Sequence, residues 1–355
     1  MINISDVTSK RLKELKATLP DLLLKKQFEI QPELKTRYGQ REIGLYLEDT
    51  RYHLSYLSES IATNEPVFFN EYLAWAKAFF ANLDVSDEEI ILNLELLRDE
   101  LQKELTTEMF EIASSYITKG IEYYNNYDPN IPTYIKEDNP LANVAKEYLD
   151  FLVEGNKHPA QNLILEAVKR GTSIKDIYLN VFQVTQRETG RLWQRSEISV
   201  AQEHYITAAT QLIMSRLYPY LFTSTTPKRN KIVISCIAGE LHEMGARMVA
   251  DLFELEGWDT YFYGANTPQS ALLGALKQHK PEVAALSVTM TFNLITLSEI
   301  VQKIKSDPET KDIKVLVGGY PFTISDTLGI KMGADGCGTD ALKAIKVATE
   351  LVKAD

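Results

Sequence analysis

Cysteine is nearly absent from this chain, with only Cys236 and Cys337 among 355 residues. Two thiols cannot build a disulfide framework or a zinc site on their own, and they suit a reducing compartment. Long apolar runs are missing as well. None approaches the roughly 20 residues that a bilayer-crossing helix needs. The N-terminus (MINISDVTSKRLKELK) alternates charge with leucine and lacks the apolar core of a signal peptide. Clustered positive charge is also absent: the net charge is −11 and no dense Lys/Arg block appears. Nucleic-acid surfaces need such clusters to displace counterions, so direct nucleic-acid binding is not expected. What is present is 45% hydrophobic and 25% charged residues, the composition of a globular, cytoplasmic protein with room for two or three domains.

Three regions separate by pattern. Residues 1–125 read as helix throughout. Ser86 and Glu89 have the spacing of a capping box before a helix from Asp87 past Leu101, and Asn64-Glu65-Pro66 ends one helix and begins another. In that second helix Phe68, Tyr72, Trp75, Ala76, Phe79 and Leu83 recur at helical spacing and should face a core. A turn-rich linker follows from Tyr124 to Thr133. Residues 140–222 are helical again, with breaks at Gly155-Asn156-Lys157, at Gly171-Thr172-Ser173 and around Ser196 to Ser199. Four helices fit between these breaks, the inventory of a small bundle. A second linker is expected at Thr223–Asn230.

From Lys231 to the C-terminus, short β-branched runs alternate with helical patterns. Candidate strands are Ile232 to Ile237, Thr260 to Tyr263, Val283 to Val288 and Val315 to Val317, with a weaker fifth near Ala334 to Cys337. This alternation implies a Rossmann-like parallel sheet of five strands covered on both faces. The expected fold class is therefore α plus α/β, over regions 1–125, 140–222 and 231–355.

Ligands of such sheets bind at the carboxyl ends of the strands, and the polar and glycine residues gather there. Glu240-Leu-His242-Glu-Met-Gly245 follows the first strand, Ser287-Val-Thr289 ends the third, and Gly318-Gly319 ends the fourth. Forty-one residues lie between Gly245 and Ser287, and 28 between Thr289 and Gly318. This set resembles the cobalamin-binding motif Asp/Glu-x-His-x-x-Gly, Ser-x-Leu/Thr, Gly-Gly in both elements and spacing. The resemblance implies that His242 is the lower axial ligand of cobalt after the cofactor's own base has left. Imidazole suits a borderline transition metal, and Glu240, where many relatives carry Asp, would orient it from behind. The displaced nucleotide tail would pass Ser287, Thr289, Gly245, Gly318 and Gly319, glycine leaving room for it.

In the bundle, Trp193 is followed after nine residues by Glu203-His204. This is similar to the Trp-x9-Glu-His motif of adenosylcobalamin-dependent photoreceptors, whose bundle caps the upper corrin face. The resemblance implies that Trp193, Glu203 and His204 shelter an adenosyl group. The transcriptional branch has a cobalt-capturing histidine directly after the tryptophan; here that position is Gln194. That branch also begins with a winged helix, whereas this chain begins with acidic, aromatic helices. The stretch from Tyr46 to Leu57, with Tyr72 to Lys77, is similar to the degenerate globin-like domain of photocobilins, which implies a bilin, biliverdin, as second chromophore, with Arg51, His53 and Tyr56 as candidate contacts. The same residues also suit the interface of a plain helical sensor or dimerisation domain.

The expected function is thus a cobalamin-binding light sensor that signals to a protein partner or through homo-oligomer assembly. The competing expectation is a corrinoid methyl carrier of a methyltransferase system. A mutase subunit ranks last, since no run of eight strand–helix units exists for a substrate barrel.

Overall fold

The computed structural model describes residues 3–83, 85–221 and 230–353, so of the expected second linker only Asn230 lies within the described residues. The chain divides into two compact units, Met1–Asn130 with Thr291–Ile295, and Ile131–Met290 with Thr296–Asp355. No helix among the described residues is long and apolar enough to cross a membrane.

The second unit holds a helical cap and a parallel sheet. Its strands are β1 (Lys231–Cys236), β2 (Asp259–Phe262), β3 (Val283–Ser287), β4 (Lys314–Gly318) and β5 (Gly336–Gly338), in the spatial order β2-β1-β3-β4-β5. All neighbours are parallel, and the register sets Cys236, Ser287, Gly318 and Gly338 side by side across four strands. The expected five-stranded Rossmann-like sheet is therefore present, with strand limits at most two residues from those read in the sequence. Ile232, Val233 and Ile234 are buried in β1, as are Val283, Ala284 and Leu286 in β3. This is the burial that a sheet covered on both faces requires. Successive connections run outward from β1 in opposite directions, so a crevice opens between the ends of β1 and β3.

The cap consists of Ala142–Val153, Lys157–Lys169, a continuous helical stretch from Ile174 to Gln194, and Val200–Leu221. The middle stretch widens into a π-helical turn at Tyr178–Phe182. The expected breaks fall between these four pieces. Helix Met244–Leu255 joins cap and sheet because it has two apolar faces. Met244, Met248 and Leu252, spaced by four, belong to the core of the bundle, while Ala246, Ala250 and Phe253 belong to the core of the sheet.

The first unit is built of helices, Ile4–Leu15, Leu19–Ile30, Leu34–Arg37, Gln40–Thr63, Val67–Phe80, Asp87–Glu104 and Thr107–Asn126. Its local signals act as read. The Ser86 hydroxyl accepts the Glu89 amide and the Glu89 carboxylate accepts the Ser86 amide, both at 3.3 Å. Asn64 takes a left-handed conformation (φ 53°) to end its helix. Phe68, Tyr72 and Ala76 are buried, as their spacing predicts. Two residues of that stripe depart from the expectation: Trp75 is 41% exposed and Leu83 is 40% exposed. The helix stops at Phe80, so Leu83 lies beyond the stripe. Trp75 is one residue off the face of Phe68, Tyr72 and Ala76, and its ring stacks on Phe79 with centroids 5.3 Å apart.

His53 is fully enclosed in this unit and its Nδ1 lies 2.7 Å from the Tyr72 hydroxyl. Burial lowers its pKa to about 4. Between the unfolded value near 6.5 and about 4 the unfolded chain takes up a proton that the folded unit refuses. The stability contribution is thus complete above pH ~6.5 and lost as the pH falls toward 4, by up to about 3 kcal/mol. Denaturation midpoints measured from pH 7 to pH 4.5 should show this slope, and His53→Gln should flatten it; an equal slope in both proteins would refute the assignment.

Candidate functional site

The loop after β1 carries the histidine, and a buried carboxylate holds that loop. Glu240 has no exposed surface. One of its oxygens lies 2.6 Å from Nδ1 of His242 and accepts the His242 amide at 2.9 Å. The other accepts the amides of Thr289 at 2.8 Å and Met290 at 2.9 Å, from the loop after β3. Glu240 therefore spans the crevice between β1 and β3. Burial alone would raise its pKa; the His242 ring and the amides of Met290, His242 and Thr289 outweigh that and bring it to about 2. A carboxylate so firmly ionised accepts the Nδ1 proton and fixes the tautomer, leaving the Nε2 lone pair outward. The His242 side chain is 57% exposed. Its pKa is raised, first by the hydrogen bond to Glu240, against burial, with further help from the charges of Glu240 and Glu203.

The neighbouring loops brace this arrangement. Asn266 donates its amide to the Glu240 carbonyl at 2.8 Å and accepts the Gly239 amide on its side chain at 2.8 Å. Buried Cys236 reaches the His242 carbonyl through Sγ at 3.6 Å and is hydrogen-bonded by Ser287; burial above all pushes its thiol up to about 12, so it acts as a neutral donor. Ser287 is half-buried in the level row of strand ends. Thr289 enters through its backbone amide.

The glycines have different reasons. At Gly319 (φ 111°) a Cβ would lie 1.9 Å from the Val288 carbonyl oxygen, so only glycine lets these two backbones meet. At Gly318 a Cβ would sit 3.0 Å from the Gly338 carbonyl. Gly245 is the opposite case: a Cβ there would meet nothing within 4 Å, so this glycine preserves open space beside the loop. Leu241, between Glu240 and His242, is 70% exposed and offers an apolar surface next to the imidazole.

On the cap, Glu203 and His204 lie in the first turns of helix Val200–Leu221. His204 is exposed, with Nδ1 2.5 Å from Glu203, and the other Glu203 oxygen accepts the Thr207 hydroxyl at 3.2 Å. Since the Glu203 charge raises the His242 pKa, the cap carboxylate is within electrostatic reach of the imidazole. Trp193 is half-buried and packs on the bundle core, while Gln194 is buried. The structure thus gathers Glu240, His242, Ser287, Thr289, Gly318 and Gly319 around one crevice, with Gly245 in the first turn of the adjoining helix, while Glu203 acts on the imidazole only through its charge. Sequence reasoning missed Met290, Gly338, Asn266 and Leu241. The first acts through its amide, which no residue type announces; Gly338 had a signal, the Gly-Cys-Gly ending of the fifth strand.

Comparison with known proteins fits this geometry. Residues 230–346 match the family model described as B12 binding domain, and residues 144–218 match a second model with the same description. The chain carries a B12-binding module. The trimethylamine corrinoid protein 1 of Methanosarcina mazei is 24% identical over 206 residues, 56% of this chain and 94% of that protein. The monomethylamine corrinoid protein 2 of Methanosarcina barkeri is 25% identical over 214 residues, 58% of this chain and 95% of that protein. Among solved structures, the Methanosarcina barkeri monomethylamine corrinoid protein superposes with a TM-score of 0.52 at 23% identity, covering 59% of this chain and 99% of that one, a likeness of fold.

Glu240→Ala should strand the Thr289 and Met290 amides without their acceptor and free the histidine loop. The expected cost is roughly 2–4 kcal/mol. A urea denaturation midpoint equal to that of the parent protein would show that the carboxylate does not organise the crevice.

Proposed function

We propose that this protein is a corrinoid carrier that binds cobalamin through Nε2 of His242 and passes a methyl group between partner methyltransferases. The Glu240–His242 pair at the mouth of a B12-binding module carries the cobalamin half of this reading, and the likeness of cap and module to methylamine corrinoid proteins carries the methyl-transfer half. Relatives named for trimethylamine and monomethylamine support the carrier reading, because cap and module together account for nearly their whole length. The chemistry the cofactor brings when bound is alkyl transfer at cobalt. The chain's part is to hold and orient. His242 offers one nitrogen, which suits a metal that arrives with its own equatorial ring. Glu240 keeps the imidazole in the Nδ1–H tautomer and strengthens its donation. Gly245 leaves room for the nucleotide tail beside Ser287, Thr289, Gly318 and Gly319. In this reading residues 231–355 bind the cofactor, 140–222 cap it, and 1–125 dock a partner protein or a second copy.

A second reading is favoured by Trp193, Glu203 and His204. Their likeness to the photoreceptor cap and the electrostatic reach of Glu203 to His242 support an adenosyl group on the upper face and release by light. The bilin reading of the N-terminal unit rests on resemblance alone, and the burial of His53 against Tyr72 leaves Arg51 and Tyr56 as its more accessible candidates.

Purified protein loaded with methylcobalamin or adenosylcobalamin, with and without biliverdin, separates these readings. The carrier should retain methylcobalamin, show a histidine nitrogen on cobalt by electron paramagnetic resonance of the reduced form, and keep one oligomeric state in darkness and green light. His242→Ala should lose the nitrogen signal. A light-dependent change of oligomeric state with adenosylcobalamin would overturn the carrier in favour of the sensor, and no cobalamin bound at all would overturn both.

A further inference from the structure

Glu243 follows His242 directly, and it bonds the histidine loop to the cap. Its Oε1 accepts from Nε2 of Gln211, on cap helix Val200–Leu221, at 2.9 Å. Its Oε2 accepts the Ala265 amide of the loop after β2, also at 2.9 Å. The pocket for this second oxygen is tight: a Cβ on neighbouring Gly264 (φ 72°) would lie 3.0 Å from it. The Glu243 carbonyl accepts the Arg247 amide at 2.8 Å, so the same residue opens helix Met244–Leu255.

This clamp is the first rung of a polar ladder between two helices. Gln211, Ser215 and Tyr218 share a face of the cap helix, and Glu243, Arg247 and Asp251 share a face of the other, each set at helical spacing. Nη2 of Arg247 donates to the Ser215 hydroxyl at 3.0 Å and to the Tyr218 hydroxyl at 3.3 Å. Buried Asp251 accepts from the Tyr218 hydroxyl at 3.2 Å and from Tyr178, in the π-helical turn, at 2.7 Å. Continued toward the start of the cap helix, the same stripe reaches Thr207 and Glu203. One row of side chains therefore runs along the cap helix from its anchored end to Glu203 near its start.

We infer that Glu243 is a positioning residue for the cobalt ligand: clamped between Gln211 and Ala265, it sets the depth of the His242 loop beneath the cap helix. This rests on His242 being the ligand. Neutral alanine at 243 frees the Ala265 amide and Gln211 together, and the loop loses its register with the cap while Glu240 still orients the imidazole.

The test uses the full chain loaded with cobalamin and reads the fraction of cobalt carrying the histidine nitrogen, alongside cobalamin affinity and melting temperature. Glu243→Ala should still bind cobalamin, with the histidine-bound to histidine-free ratio about three- to tenfold lower, the size of one lost hydrogen bond. Gln211→Ala cuts only the cap end of the clamp and should lower the ratio in the same direction, which keeps the test valid if Glu243→Ala folds poorly. The exchange Glu243→Gln with Gln211→Glu reverses donor and acceptor while leaving an oxygen for Ala265, and should restore the parent ratio. Parent-like ratios in both single variants, or an exchange no better than they are, would overturn the inference. A parent protein without histidine nitrogen on cobalt would overturn the ligand assignment itself, and this inference with it.

Discussion

A carboxylate cut off from water must collect donors or give up its charge, because an unpaired buried ion costs several kcal/mol. Glu240 collects two pairs of them: the ring and amide of His242, and the amides of Thr289 and Met290. The two pairs come from different strand ends, and so the carboxylate can be satisfied only when the loops after β1 and β3 stand at one height. The level register of Cys236 and Ser287 provides that height. Fold and site are linked here by one side chain. The sheet brings two loops together, and the buried charge makes their spacing obligatory.

The extra methylene of glutamate, at a motif position that also admits aspartate, gains a physical meaning from this geometry. The longer arm lets one oxygen turn to His242 while the other reaches across the crevice to the β3 loop. A bonded Nδ1 and an exposed ring then follow without further help, leaving Nε2 as the nitrogen that faces outward. The thiol of Cys236 and the side chain of Asn266 each bond a further backbone group of the loop. Such bracing fixes the loop, and a loop fixed in advance lowers the ordering cost of binding.

Much of this was legible in the residues. Four β-branched runs separated by helical patterns gave the sheet, since strands covered on both faces have no polar alternation to disguise them. The motif spacing marked the crevice, because the register of a parallel sheet turns fixed sequence gaps into adjacency. What could not be read has equally physical reasons. Met290 acts through its backbone, and Gln211 and Glu243 look like ordinary surface residues until two helices face each other. Trp75 and Leu83 looked like core because apolar spacing alone does not say where a helix stops or which of two adjacent faces is covered. Gly319 was legible as a needed glycine, but the backbone that requires it belongs to Val288.

The lower half of the site is common ground for every reading of this protein. An imidazole held by a buried carboxylate serves an alkyl carrier and a light sensor alike, so nothing around Glu240 and His242 separates them. The difference must arise above the imidazole and in the first 130 residues. On the cap, Glu203 and His204 are bonded to each other, and Glu203 is also bonded to Thr207. These side chains form a polar pair at the start of a helix, a feature that can shelter a nucleoside or merely line the approach of a partner. The motif Trp-x9-Glu-His therefore specifies a location more firmly than a task. Relatives named as corrinoid proteins share the cap and the module with this chain, and their similarity spans little more than half of it. Whatever distinguishes this protein from those relatives has to be sought in what is added to that shared half. The acidic, aromatic helices of Met1–Asn130 are the largest such addition, a folded unit with its own core built around Leu54, Phe69, Leu73, Leu97 and Tyr124.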